Sequence, residues 1–103
     1  MELTSYQLCS LVGLAERLAV IFRNSSNCCY PIVAQSNVVA VTFDGAPRAA
    51  QIIFETSQKY RALFEVHYPD ENSSYLEMIF PDKDVRDRFM NLYKERGEAY
   101  AKA

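Results

Sequence analysis

The sequence predicts an α+β domain in which an antiparallel sheet of four or five strands lies between an N-terminal and a C-terminal helix. Three observations lead there. Apolar residues recur at steps of three and four before Asn24, the period changes to two between Tyr30 and Phe80, and helical spacing returns after Pro81.

The first helix is marked at its start. Thr4 followed by Gln7 makes a capping box, with Leu3 and Leu8 placed as the hydrophobic staple around it. Leu8, Leu11, Val12, Ala15, Leu18, Ala19 and Phe22 form the stripe of a helix lying on a core. Leu14, Val20 and Ile21 widen that stripe enough to bury the helix on more than one side. Asn24-Ser25-Ser26-Asn27 then offers competing side-chain bonds to the backbone, which end the helix.

Five runs rich in Val, Ile, Phe and Tyr follow: Tyr30–Ala34, Val38–Phe43, Ala50–Ser57, Tyr60–Tyr68 and Tyr75–Phe80. Gln35-Ser36-Asn37, Asp44-Gly45-Ala46-Pro47, Gln58-Lys59 and Pro69-Asp70-Glu71-Asn72-Ser73 separate them. Connections this short join antiparallel neighbours. Pro31 suits the first run to an edge strand or an extended loop.

Pro81-Asp82 opens the closing helix, with Asp82 as N-cap and Asp84 near the positive end of the helix dipole. Val85, Phe89, Leu92, Tyr93 and Arg96 line one face, with Tyr100 a turn later. Lys83 with Asp87, Asp84 with Arg88, and Lys94 with Glu98 are spaced to pair on the other. The two helices are expected to cover one face of the sheet in two layers, and such a sheet can curl toward a partial barrel.

The bulk numbers narrow the classes of function. With 103 residues, half of them hydrophobic and 23% charged, the chain has apolar material for one core in a single domain, residues 1–103. A net charge of −2 and a pI near 5.3, with no cluster of Lys and Arg, argue against nucleic acid or a membrane surface as partner. Met1-Glu2-Leu3-Thr4-Ser5 lacks the character of a signal peptide, and the uncharged run from Leu3 to Ala15 is too short to span a bilayer. Cys9, Cys28 and Cys29 are odd in number and two are adjacent, which fits free thiols in a reducing compartment, hence a cytoplasmic protein. Asn24-Ser25-Ser26 and Asn72-Ser73-Ser74 match the glycosylation sequon, and without a leader they read as turns.

No catalytic or cofactor signature emerges. His67 is the single histidine, and no C-x-x-C or H-x₃-H spacing accompanies it, so neither metal nor cofactor is expected. Cys9 falls beside the apolar stripe and reads as a small core residue, while Cys28-Cys29 lack a basic neighbour to activate them. Glycines at 13, 45 and 97 cannot build a phosphate cradle, and no G-x-S-x-G supports a nucleophile.

Strand alternation is more informative. Val39, Val41 and Phe43, Ile52 and Phe54, Tyr60, Ala62, Phe64, Val66 and Tyr68, and Leu76, Met78 and Phe80 are expected to face the core. The face away from the helices would carry Ile53, Leu63, Tyr75 and Ile79 among Glu55, Glu65 and Glu77, with Arg61 and His67 as its basic groups. Solvated sheet faces are normally polar throughout, so a mixed aliphatic, aromatic and acidic face has the character of a contact surface. The expected partner-binding residues are therefore Glu55, Arg61, Leu63, Glu65, His67, Tyr75, Glu77 and Ile79, with the charged face around Arg86, Lys94 and Glu95 as a second choice. The expected function is a non-enzymatic binding domain that occupies the surface of a larger protein or complex. Inhibitors, adaptors and immunity-type factors work this way, including phage- or plasmid-encoded ones aimed at bacterial defence complexes. A homodimeric structural subunit is the alternative, followed by a domain that binds a small molecule between helices and sheet. An enzyme using the sheet carboxylates as an acid–base pair would need a cleft that the sequence does not reveal.

Overall fold

The capping box forms as the spacing asks. The Gln7 N–H donates to Thr4 Oγ1 at 3.1 Å and the Thr4 N–H donates to Gln7 Oε1 at 2.9 Å, opening α1 (Ser5–Arg23). The computed structural model describes residues 2–24, 31–70 and 73–101, with the side chains of the last helix described to residue 97. The expectations for Ser25, Ser26, Cys28, Cys29, Tyr30 and Asn72, and for the side chains of Glu98 and Tyr100, lie outside the described residues.

After α1 come β1 (Pro31–Gln35), β2 (Val38–Thr42), α2 (Pro47–Lys59), β3 (Glu65–His67), β4 (Tyr75–Ile79) and α3 (Lys83–Ala101). The strands form one antiparallel sheet in the order β1-β2-β4-β3. The sheet is open and does not close toward a barrel. β2 and β3 therefore run parallel on either side of β4, and α2 is the crossover between them.

That helix corrects the reading of Ala50–Ser57 as a strand. Pro47 sits in its first turn, where a missing N–H costs nothing. Ala49, Ile52, Ile53 and Thr56 are buried at helical steps, while Gln51, Glu55 and Lys59 form the exposed stripe. The buried Thr56 hydroxyl donates to the Ile52 carbonyl at 2.8 Å, so it leaves no polar group unsatisfied. Ahead of the helix, Gly45 takes a φ of 78°, and the Ala46 N–H closes the turn on the Phe43 carbonyl at 2.8 Å.

The run Tyr60–Tyr68 is also shorter as a strand than its alternation implies, with only Glu65–His67 pairing. Residues 61–63 make a turn in which the Leu63 N–H donates to the Tyr60 carbonyl at 2.9 Å. This turn breaks the two-residue period, so Leu63 and Phe64 are both buried although they are adjacent.

All three helices and the inner sheet face share one hydrophobic core. Leu11, Leu14 and Leu18 of α1, Ile53 of α2 and Val85 and Phe89 of α3 meet Val39, Val41, Leu76 and Met78. Phe80 joins the parts, its ring centroid 5.6 Å from Phe64 and 5.5 Å from Phe89. By length and composition α1 could cross a membrane, yet Leu11, Leu14, Ala15, Leu18, Ala19 and Phe22 are buried inside the protein.

Asp82 caps α3 as expected, its Oδ1 accepting the Val85 N–H at 2.9 Å. Arg86 departs from expectation. It is buried, donates from Nη1 to the Gln35 carbonyl at 2.9 Å and from Nε to Asp87 Oδ1 at 3.1 Å, and so ties α3 to the β1–β2 hairpin. Asp87, spaced for Lys83, takes Arg86 instead.

Candidate functional site

Because Val39, Val41, Leu76 and Met78 enter the core, their strand neighbours face the other way. The register aligns them across the sheet. Ile32, Ala40, Glu77 and His67 form a row spanning all four strands. Val38, Ile79 and Glu65 form the row on one side, and Thr42 with Tyr75 the row on the other. Ile32, Thr42, Glu65 and His67 are exposed, Ala40, Tyr75, Glu77 and Ile79 are half-buried, and Val38 is buried.

Glu77 organises the polar part of this face. Its Oε1 lies 2.9 Å from His67 Nδ1 and its Oε2 accepts the Tyr75 hydroxyl at 3.3 Å. A carboxylate can only accept in these contacts, so His67 donates from Nδ1. Partial burial pushes the Tyr75 phenol above its ordinary value, and the charge and hydrogen bond of Glu77 push it further. One anion thus holds an aromatic ring and an imidazole in fixed positions, with Ile79 and Ile32 supplying apolar surface around them.

Five of the residues expected here are brought together: Glu65, His67, Tyr75, Glu77 and Ile79. Arg61 is exposed on the turn after α2 and borders a cavity of about 230 Å³ shared with Glu65 and Ile79, so it flanks the face without belonging to a strand. Leu63 does not belong to it. That side chain is 0% exposed in the core, as is Ile53 on α2. Glu55 is also excluded, since it projects from the exposed stripe of α2. Arg86 leaves the second-choice surface, because it is buried against Gln35.

Two features escaped the sequence. Ile32 completes the central row; its alternation with Pro31 and Val33 held that information once β1 is taken as a strand. The other is a groove between α1 and α2. Two adjoining cavities of about 480 Å³ each share Gly13 and Arg17. Glu55, Lys59, Tyr6, Tyr60 and Cys9 surround one of them, and Val20, Ile21, Arg48 and Ile52 the other. At Gly13 an added Cβ would meet nothing within 4 Å, so the groove is open above it. Cys9, expected in the core, is instead exposed and free beside this groove. Among the described residues, no three His, Cys, Asp or Glu side chains gather where a metal ion could sit.

No protein-family model, curated protein or solved structure matches the chain.

Proposed function

We propose that the protein is a non-enzymatic binding domain, an inhibitor, adaptor or immunity-type factor, that occupies a partner protein with the outer face of its sheet. The observation that supports this reading is the in-register row Ile32–Ala40–Glu77–His67, flanked by Ile79 and Tyr75. Aromatic and aliphatic side chains at the centre of such a patch supply desolvation energy on binding. Glu65 and Glu77 favour a partner surface that carries basic groups, because opposite potentials speed encounter and reject like-charged competitors. The Glu77 contacts matter for affinity too, since a Tyr75 ring already held in place loses less freedom when it is covered.

The test is affinity capture from a host lysate with wild type and Tyr75→Ala side by side, using Glu55→Gln on α2 as the matched control. A protein retained by wild type and Glu55→Gln but lost by Tyr75→Ala supports the reading. Proteins retained equally by all three would place the contact elsewhere.

A further inference from the structure

The edge strand β1 combines features that a face-on partner would not explain. Among the described residues, Ile32 and Val33 are two of the four large hydrophobic side chains that are exposed, at 47% and 44%. They are adjacent, so they point to opposite faces of the sheet. Ile32 lies beside Ala40 on the outer face, and Val33 lies opposite Val39 on the helix side. A body docking on one face covers one of them. A strand added along the edge contacts both.

The peptide groups are oriented for that addition. The Phe43 N–H donates to the Ser74 carbonyl at 2.9 Å, and the Phe80 N–H donates to the Asn37 carbonyl at 2.8 Å. With Val41 opposite Leu76 and Val39 opposite Met78, the odd-numbered residues of β2 therefore bond to β4. The even-numbered ones must bond to β1, which makes Ile32–Ala40 the hydrogen-bonded pair. By the same alternation the N–H and C=O of Val33 point outward, where no described strand pairs with them. Pro31, which has no N–H, also points outward and leaves no gap in the β1–β2 ladder.

The strand's chemistry selects the occupant. Natural edges are commonly blunted by charge, as in β3 at the opposite edge, which carries Glu65 and His67 on three residues. β1 reads Pro-Ile-Val-Ala-Gln and has no charge to repel its own copy.

We propose that two copies of this chain associate through β1, antiparallel about a two-fold axis at Val33, joining two four-stranded sheets into one of eight strands. Each Val33 N–H donates to the Val33 carbonyl of the other copy. On the outer face, Ile32 of each copy lies opposite the small Ala34 of the other. The irregularity between Val33 and Gln35 and the proline at position 31 keep this pairing short. The association is accordingly weak and appears at high protein concentration. It shares Ile32 with the proposed partner contact and otherwise uses the backbone edge of β1, away from Tyr75, Glu77 and Ile79. Because the axis is perpendicular to the sheet, both outer faces lie on the same side, and a repetitive partner meets two of them at once.

Sedimentation velocity from about 10 μM to about 1 mM spans the range expected of an interface below ~1,200 Å². The expected result is a monomer–dimer equilibrium in the wild type. Val33→Pro removes the outward N–H without removing a bond to β2, so it should keep its circular dichroism while weakening the dimer at least ~10-fold, the effect of losing two symmetry-related hydrogen bonds. If Val33→Pro does not fold, amide exchange of wild-type Val33 decides instead: protection that rises with concentration supports the pairing, and constant protection contradicts it. A wild type that stays monomeric throughout would overturn the proposal. So would a dimer that persists in folded Val33→Pro, or one abolished by Tyr75→Ala while Val33→Pro leaves it intact.

Discussion

The Glu77 carboxylate meets the His67 imidazole at 2.9 Å across β3 and β4, and its second oxygen holds the Tyr75 hydroxyl. This contact lies on a sheet face that the helices do not cover, where exposed polar contacts by themselves add little to stability. Its consequence is local: one carboxylate links the Tyr75 and His67 side chains on that face.

The Tyr75–Glu77 contact has a spectroscopic signature. Tyr75 should form phenolate only above 10.0, the value its ring would show without these influences. A group whose folded pKa is raised contributes stability below its unfolded pKa and loses it as pH rises through the folded one. Phenolate absorbance titrations of wild type and Tyr75→Phe isolate this residue. Glu77→Gln should lower its midpoint without abolishing the whole shift, because burial is the leading cause. An unchanged midpoint in Glu77→Gln would mean that the carboxylate does not reach Tyr75 in solution.

At the start of α3, backbone hydrogen bonding from Val85 holds the Asp82 carboxyl below 3.8. A depressed carboxyl contributes stability that is present above its unfolded pKa and lost as pH falls through the folded pKa. The urea midpoint should therefore drop as pH falls below about 3.8, and Asp82→Asn should show a smaller drop over that interval. Identical profiles would remove Asp82 from the acid response.

Core substitutions separate the structure from simple strand alternation. Leu63→Ala and Phe89→Ala remove side chains that are 0% exposed, and should cost about 2–5 and about 3–5 kcal/mol respectively in an equilibrium urea titration. Alternation would leave Leu63 on the surface, where its loss is nearly silent. A cost under about 1 kcal/mol for Leu63→Ala would favour alternation over the turn at residues 61–63, since surface truncations fall within that range.

Cys9 is exposed at the rim of the groove between α1 and α2, so it should alkylate readily in the native state. Peptide mapping after a short pulse of iodoacetamide reads it directly. Labelling of Cys9 only after unfolding would mean that α1 is rotated about its axis.

How much of this was legible depended on local chemistry. Both terminal helices were, because Thr4–Gln7 and Asp82 mark their starts with residues that satisfy specific N–H groups. β2 and β4 were legible too, since β4 alternates in burial, β2 is rich in β-branched residues, and the two pair along their full length. α2 was misread because Ile52, Ile53 and Phe54 suggest a strand, although Pro47 and the 49, 52, 53, 56 spacing already described a helix. That error moved Glu55 and Ile53 onto the sheet. The turn at residues 61–63 moved Leu63 there as well, because the two-residue period does not hold through a turn. Glu65 and His67 beyond it keep the face that alternation gave them. The Arg86–Gln35 bond spans 51 positions and has no local signal.

Kinetics on the outer face test the central claim most directly. With a partner captured as described, surface plasmon resonance should compare wild type, Tyr75→Ala and the double variant Glu65→Gln/Glu77→Gln. All of these residues lie outside the core, so the variants should remain folded. Tyr75→Ala should raise the dissociation rate, losing on the order of 2 kcal/mol if the ring is an anchor. The double variant should slow association and flatten its dependence on salt. Wild-type rates in both folded variants would contradict the account and remove the partner contact from this face.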